Sequence, residues 1–315
     1  MEHRFKVTSF TKVIPSKNKS EEKINILKKF IQGVNYIGDT GTVSESFQID
    51  NCDVAIIQGW QHEHGKTAPH LKLRQHIIDT QLNKKKFVCT ADSNLFLYAN
   101  RTNEPHHYLR YSFNGVFPNT GIYFDDIIDP LRWQQISRDL DITIKNLKTN
   151  GKNIILCLQR NGGWSLGKTD IIEWTTNTIN NIRQHSDRPI IIRPHPGDKR
   201  AYTYLERLQK IYQNDLTISI SQNNSLTYDL QNAWAVVNHN SSSIVGPIIQ
   251  GHHAFITDPI SSQCAEVSHH GFEKIETPEL FDRQHWLERV SMFHWKFSEL
   301  EDGTAWRHMR NYVRQ

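Results

Sequence analysis

No run of about 18 apolar residues occurs in this chain, so nothing in it is expected to insert into a membrane. The first residues, Met1-Glu2-His3-Arg4-Phe5-Lys6, lack an apolar stretch of signal-peptide length. The expected location is therefore the cytoplasm, the host's cytoplasm if the source is viral. Cysteine is scarce: Cys52, Cys89, Cys157 and Cys264 are widely spaced with no Cys-x-x-Cys. That excludes a disulfide framework and a cysteine metal site, and leaves reduced, mostly buried thiols. A large charge surplus is also missing. The 37 Lys and Arg against 33 Asp and Glu leave +4, which permits an anionic partner without demanding one. There is no internal repeat and no low-complexity segment. No Gly-x-x-x-x-Gly-Lys-Ser/Thr string occurs, so a P-loop kinase is not supported. What is present is a globular composition, 37% hydrophobic and 22% charged, in 315 residues, enough for two domains of ordinary size. The 17 histidines are unusually many and add charge below about pH 6.5.

Phe5–Val13 alternates weakly, as a first strand does. Glu21–Ile31 places Ile24, Ile26, Leu27, Phe30 and Ile31 at helical spacing. Cys52–Ile57 is a short apolar strand, Leu71–Leu82 a helix and Lys86–Thr90 a strand. Residues 100–126 form an aromatic-rich irregular stretch, and Pro130–Leu140 is helical. The polar turn Lys148-Thr149-Asn150-Gly151-Lys152-Asn153 is the expected boundary between domains 1–150 and 151–281. Beyond it come strand Ile154–Leu158, helix Thr169–His185, strand Pro189–Arg193, helix Ala201–Tyr212 and strand Leu216–Ile220. Helix Asn223–Gln231, strand Ala233–Val237, helix Ile244–Gln250 and strand His253–Thr257 complete the alternation. Continuous apolar strands joined by helices predict a parallel sheet with right-handed crossovers. The tail, 282–315, carries Trp286, Trp295 and Trp306 at loose helical spacing and is expected to pack back across the domains. The expected fold class is α/β, two Rossmann-like domains facing a cleft.

The candidate functional residues gather at predicted strand ends, where open α/β sheets bind ligands. Arg193-Pro194-His195-Pro196-Gly197-Asp198 combines a cation, an imidazole and two rigid prolines. Arg193 offers a fork of donors suited to a diphosphate, and His195 a donor for a phosphate or ribose oxygen. Asn240, Ser241, Ser242 and Ser243 stand where a helix begins. One serine serves as N-cap in any case; the other hydroxyls suit a phosphate, and Asn238 and His239 add donors. In Gln159–Ser165 the glycines Gly162 and Gly163 let backbone N–H groups approach a phosphate beside a helix N-terminus, with Arg160 pairing its oxygens. An ordinary strand–helix turn needs glycines too.

In the first half, His62, Glu63 and His64 follow the clearest strand and could supply a general base for an acceptor hydroxyl, with Lys66 for an anion. His62 and His64 completed by His70 or Asp92 make a rival metal set; a solvated polar loop is the plain alternative. Asp92 and Asp125 are candidate catalytic carboxylates, and Asp92-Ser93-Asn94 reads equally as a helix cap. Tyr98, His106, His107, Tyr108, Arg110, Tyr111 and Phe113 interleave rings with cations, a pattern for stacking on bases or sugars. Half-buried strands have the same pattern.

Pro189–Asp198 followed by Ala233–Asp258 resembles the C-terminal donor domain of GT-B glycosyltransferases, closest in flavour to capsule-polysaccharide and teichoic-type enzymes. The carriers are Arg193-Pro194-His195-Pro196, Ser241-Ser242-Ser243, and Gly251 to Thr257. The resemblance covers about 100 residues, near one third of the 315. It implies a nucleotide-sugar donor, a UDP-sugar first, held by Arg193, His195 and the serines without an obligatory metal. The acid that this family often carries early in the following helix is absent from Ile244-Val245-Gly246-Pro247. Small GT-B enzymes with aromatic, basic first halves include bacteriophage transferases that glycosylate hydroxylated pyrimidines in DNA. The favoured acceptor is accordingly a hydroxylated or hydroxymethylated pyrimidine in double-stranded DNA. Lys84-Lys85-Lys86 would contact phosphates, and Trp60 or Tyr108–Phe113 would line a pocket for a flipped base. The alternative acceptor is a glycan of surface-polysaccharide synthesis. A His-rich metal-dependent phosphohydrolase using His62, His64 and Asp92 is the rival of another class, and a non-catalytic nucleic-acid-binding module a third.

Overall fold

A computed structural model describes residues 3–15, 20–62, 65–98 and 107–313. The chain divides into two compact units: residues 1–95, 102–140 and 288–315 form unit 1, and residues 96–101 and 141–287 form unit 2.

Unit 1 opens with β1 (Lys6–Phe10), α1 (Ser20–Tyr36), β2 (Thr40–Ser44), β3 (Val54–Gln58), α2 (Pro69–Asn83) and β4 (Phe87–Asp92). β5 (Tyr108–Phe113) and α3 (Pro130–Asp139) follow. The β1 to β4 strands pair in parallel, and β5 turns back antiparallel onto β4. α1 has Glu21 and Glu22 in its first turn, where carboxylates meet unpaired N–H groups. It buries Ile26, Leu27, Phe30, Ile31 and Val34 along one stripe. α3 starts at Pro130 behind Asp129, whose carboxylate accepts from the Leu131 N–H at 3.0 Å. Three differences from the sequence reading have physical causes. The first strand stops at Phe10, and Thr11–Val13 tightens into a 3₁₀ turn. Thr40–Ser44 is an edge strand that no apolar run announces, since most of it is exposed or half-buried. Residues 108–113, expected to be irregular, form a strand with all six side chains buried.

Unit 2 runs β6 (Asn153–Cys157), α4 (Ile171–Arg183), β7 (Ile190–Arg193), α5 (Ala201–Ile211) and β8 (Ile218–Ile220). It continues through α6 (Leu226–Asp229), β9 (Ala233–Asn238), α7 (Val245–Ile249) and β10 (His253–Ile256). All five strands pair in parallel in the order β10-β9-β6-β7-β8. This is the Rossmann order, with the reversal between β6 and β9. Ile154, Leu156, Ile190, Ile192, Val237 and Phe255 anchor its core.

The tail forms α8 (Arg283–Ser291), β11 (His294–Lys296), α9 (Phe297–Glu301) and α10 (Thr304–Met309). From residue 288 onward it belongs to unit 1, where β11 pairs antiparallel with β5 and completes the order β11-β5-β4-β3-β1-β2. Asp39 clamps it: its carboxylate accepts from Trp306 Nε1 at 2.8 Å and from Arg310 Nε at 2.6 Å. Cys52, Cys89, Cys157 and Cys264 are all buried and free. Among the described residues no helix is long and apolar enough to cross a membrane.

Candidate functional site

Four loops leave the carboxyl ends of β6, β7, β9 and β10 in unit 2, and side chains lace them together. Arg160, after β6, donates to the Gly197 carbonyl, after β7, at 2.8 Å. The Asn161 N–H reaches Asp198 Oδ2 at 2.9 Å. Gln159, also after β6, donates to Asn240 Oδ1, after β9. Asn240 Nδ2 in turn donates to Asp258, after β10, at 2.8 Å, and to the Ser165 carbonyl at 3.2 Å. His239 Nδ1 lies 2.7 Å from Thr257 Oγ1, which also accepts from Trp174 Nε1 at 3.0 Å. The edge at the strand-order reversal is thus held by side chains bonded across the loops.

His195 is set in one tautomer. Its Nδ1 accepts the Gly197 N–H at 3.0 Å, so the ring proton belongs on Nε2. A second proton would face that N–H donor to donor. Burial lowers the pKa below the usual histidine value, the Arg160 cation lowers it further, and Asp198 opposes both. A neutral imidazole presenting Nε2–H beside the exposed guanidinium of Arg160 suits a phosphate oxygen.

Other members of the expected set have different settings. Arg193 is buried, and its Nη1 is committed to Asp229, to Ser221 Oγ at 3.3 Å and to the Asn223 carbonyl at 3.1 Å. A buried guanidinium paired with a buried carboxylate fastens the loop beyond β8, a different setting from the diphosphate contact expected of Arg193. Asn240 has its carbonyl and both amide hydrogens engaged inside the protein, which makes it a positioning group. The glycine turn opens a single 3₁₀ turn, Trp164–Leu166, and not α4. Gly162 has φ +66°, but α4 starts only at Ile171, and Asp170 caps it through the N–H groups of Ile172 and Glu173. A carboxylate already occupies the helix end that was expected to attract the phosphate near Gly162 and Gly163. Ser241 accepts from the Ser243 N–H at 3.2 Å as an N-cap; Ser241, Ser242 and Ser243 are all partly exposed at the same edge. Two buried acceptors there, Gln159 Oε1 and Asn238 Oδ1, meet no donor among the described residues.

In unit 1, Asp92 pairs with Arg110, its cross-strand neighbour, through Oδ2, and takes the Ser93 N–H through Oδ1 at 2.7 Å. Each oxygen thus accepts one hydrogen bond within unit 1. Asp125 is likewise paired, with Arg289 at 2.7 Å. The His62 ring packs 5.6 Å from that of Phe117 and is partly exposed. Glu63 and His64 lie outside the described residues. Among the described residues no three His, Cys, Asp or Glu side chains gather closely enough to hold a metal ion. Tyr108, Tyr111 and Phe113 are buried in β5, so the stacking surface expected there is core.

Sequence reasoning missed Gln159, Asp198, Asp229 and Asp258. The first two stood inside segments already singled out, and their strand-end position was the available signal. Asp229 sits on a four-residue helix far along the chain from Arg193, and no local pattern links the two.

No family model matches the chain, and no curated protein does. Among solved structures, a Thermosulfurimonas dismutans KpsC β-Kdo 2,4-transferase aligns with TM-score 0.56 and 11% identity, over 94% of this chain and 93% of that one. The KpsC β-Kdo 2,7-transferase of the same organism aligns with TM-score 0.50 and 12% identity, over 95% and 98%. The Methanocaldococcus jannaschii UDP-GlcNAc 2-epimerase, solved with UDP-GlcNAc and UDP, aligns with TM-score 0.33 and 11% identity, over 98% and 100%. The end-to-end match to the two transferases shows the fold: α/β with two Rossmann-like sheets, as in GT-B-like structures.

Proposed function

We propose that this protein is a nucleotide-sugar-dependent glycosyltransferase acting on a hydroxyl of a glycan of the surface-polysaccharide kind. One observation carries the reading: at the strand-order reversal of unit 2, Arg160 and the neutral His195 stand together on loops laced to the serine turn. That arrangement can meet the negative charge that builds on a departing nucleotide phosphate. Arg160 supplies charge and His195 Nε2–H a fixed donor. Ser241, Ser242, Ser243 and the turn at Gly162 and Gly163 offer hydroxyls and backbone donors, while Arg193 and Asn240 hold the loops in place. As the bond between the anomeric carbon and the phosphate oxygen breaks, the acceptor oxygen bonds to that carbon and its proton passes to a base. His62 is the described candidate for that base, and His64 the second.

A glycan acceptor is preferred to DNA for two reasons. The two solved structures that align end to end with TM-scores of 0.56 and 0.50 are sugar transferases named for Kdo linkages. The aromatic stretch that would have gripped a flipped base is buried in β5. The donor base is open, with uridine first.

The test is thermal unfolding against a panel of nucleoside mono- and diphosphates and their sugars. One nucleotide is expected to raise the midpoint by a few degrees, since only the folded chain binds it. His195→Ala should abolish the rise. A flat response to the whole panel rules the reading out.

A further inference from the structure

The sheet of unit 1 has its own strand-order reversal, between β1 and β3, because β2 lies outside β1 while β4 lies outside β3. The turn Thr11–Val13 leaves the carboxyl end of β1 there, and Gly59 begins the loop that leaves β3. One side chain reaches both. Arg74 of α2 donates through Nη2 to the Val13 carbonyl at 2.9 Å. Its Nη1 lies so near Gly59 that a Cβ built on that residue would sit 3.3 Å away. Gly59 has φ +77°, a conformation glycine adopts freely, and it places no side chain of its own over the guanidinium. Among the described residues the Arg74 Nε–H is buried without an acceptor, and Gln58 Oε1, at the end of β3, is buried without a donor. Among the described residues no carboxylate pairs with Arg74, and burial is the one influence resolved on its charge. The exposed Lys12 sits on the same turn as Val13.

Other half-buried guanidinium groups meet acids, as Arg188 meets Glu276 and Arg289 meets Asp125, or backbone carbonyls, as Arg183 and Arg283 do. Arg74 meets one backbone carbonyl, at the edge where open α/β sheets take ligands. An oxyanion there would gain a charge-assisted hydrogen bond from a fork already held in place.

We infer that Arg74, with the Thr11–Val13 turn after β1 and Gly59 after β3, forms an oxyanion site of unit 1 that takes a carboxylate or phosphate group. That this group belongs to the sugar acceptor rests on the sugar-transfer reading; the binding of an oxyanion does not.

Ligand-observed NMR on the full chain tests it with three probes: glucuronate, glucose 6-phosphate and glucose. The expected result is binding of a charged sugar, displaced by inorganic phosphate, with glucose silent; the stronger charged probe names the group. Arg74→Gln should weaken that binding at least about tenfold while leaving the nucleotide-induced rise in midpoint intact. Undiminished binding by Arg74→Gln, equal binding of glucose, or no binding of either charged sugar overturns the site. Should Arg74→Gln fail to fold, Arg74→Lys keeps the cation and loses the fork. Its binding of the charged sugar should fall but still exceed that of glucose, and wild-type affinity would overturn the proposal. Charged-sugar binding that needs Arg74 in a protein no nucleotide stabilises would remove the sugar-transfer reading and leave this site standing.

Discussion

Arg160 and Arg193 both lie at the carboxyl edge of the unit 2 sheet, in opposite settings. Arg193 is sealed against Asp229, so removing it strands a buried carboxylate. Arg193→Ala is expected to cost about 3–5 kcal/mol in chemical denaturation. Arg160 is exposed, and Arg160→Ala should stay within about 0.5 kcal/mol of wild type while weakening nucleotide binding about tenfold. Equal stability losses in the two variants would contradict these roles. His252 makes a separate residue-level prediction. It is buried, with Nδ1 3.2 Å from the Ala233 carbonyl. Burial first, then the Lys148 cation, lower its pKa from 6.5 to about 4. The unfolded chain therefore takes up this proton at a higher pH than the folded one. Stability from this group is complete above pH 6.5, is lost as pH falls to about 4, and changes no further below that. The loss is at most about 3 kcal/mol. His252→Asn keeps a donor for Ala233 without titrating, and its urea midpoint should fall less between pH 7 and 4 than that of wild type.

At the scale of elements, the tail is a structural part of unit 1. β11 covers the outer side of β5, and Arg132 closes on Glu299 while its guanidinium lies 4.0 Å from the Trp295 ring centre. α1 meets α9 and the start of α10 at backbone distance: a Cβ on Gly33 would overlap the Leu300 carbonyl and lie 2.9 Å from Gly303 Cα. Gly33→Ala must push these elements apart and is expected to cost about 3 kcal/mol, read as a drop in the unfolding midpoint. A neutral outcome would mean that the α1–α9 packing is looser than this geometry. The periodicity of α1 was legible from the sequence because it depends on residues within a turn or two of one another. Neither the edge strand β2 nor the buried strand β5 was legible: one lacks an apolar run, and the other hides Arg110 in a sheet interior through a partner 18 positions away.

For the whole molecule, two Rossmann-like sheets and an end-to-end structural match at 11–12% identity accompany sequence too diverged for any family model. On the proposed function, phosphate charge is met by Arg160, His195 and backbone donors. Sugar transfer should then proceed undiminished in EDTA; loss of activity in the chelator would instead favour the metal-dependent phosphohydrolase.

The sequence by itself determined the α/β alternation of unit 2, because strands buried on both faces must be apolar throughout and the helices between them must carry one apolar stripe. It also brought the strand ends to notice, where prolines, glycines and serines set the backbone. Which of those residues remain available was decided only by the tertiary structure. Asp229 claims Arg193, Asp170 claims the start of α4, Arg110 claims Asp92, and Gln159 with Asp258 claims Asn240. Arg74 came to notice only through the fold, since its neighbours Val13 and Gly59 come from the ends of two other strands. Ion pairs and hydrogen bonds between distant segments leave no local pattern in a chain, so a charged residue's role is settled by which partner the fold brings to it.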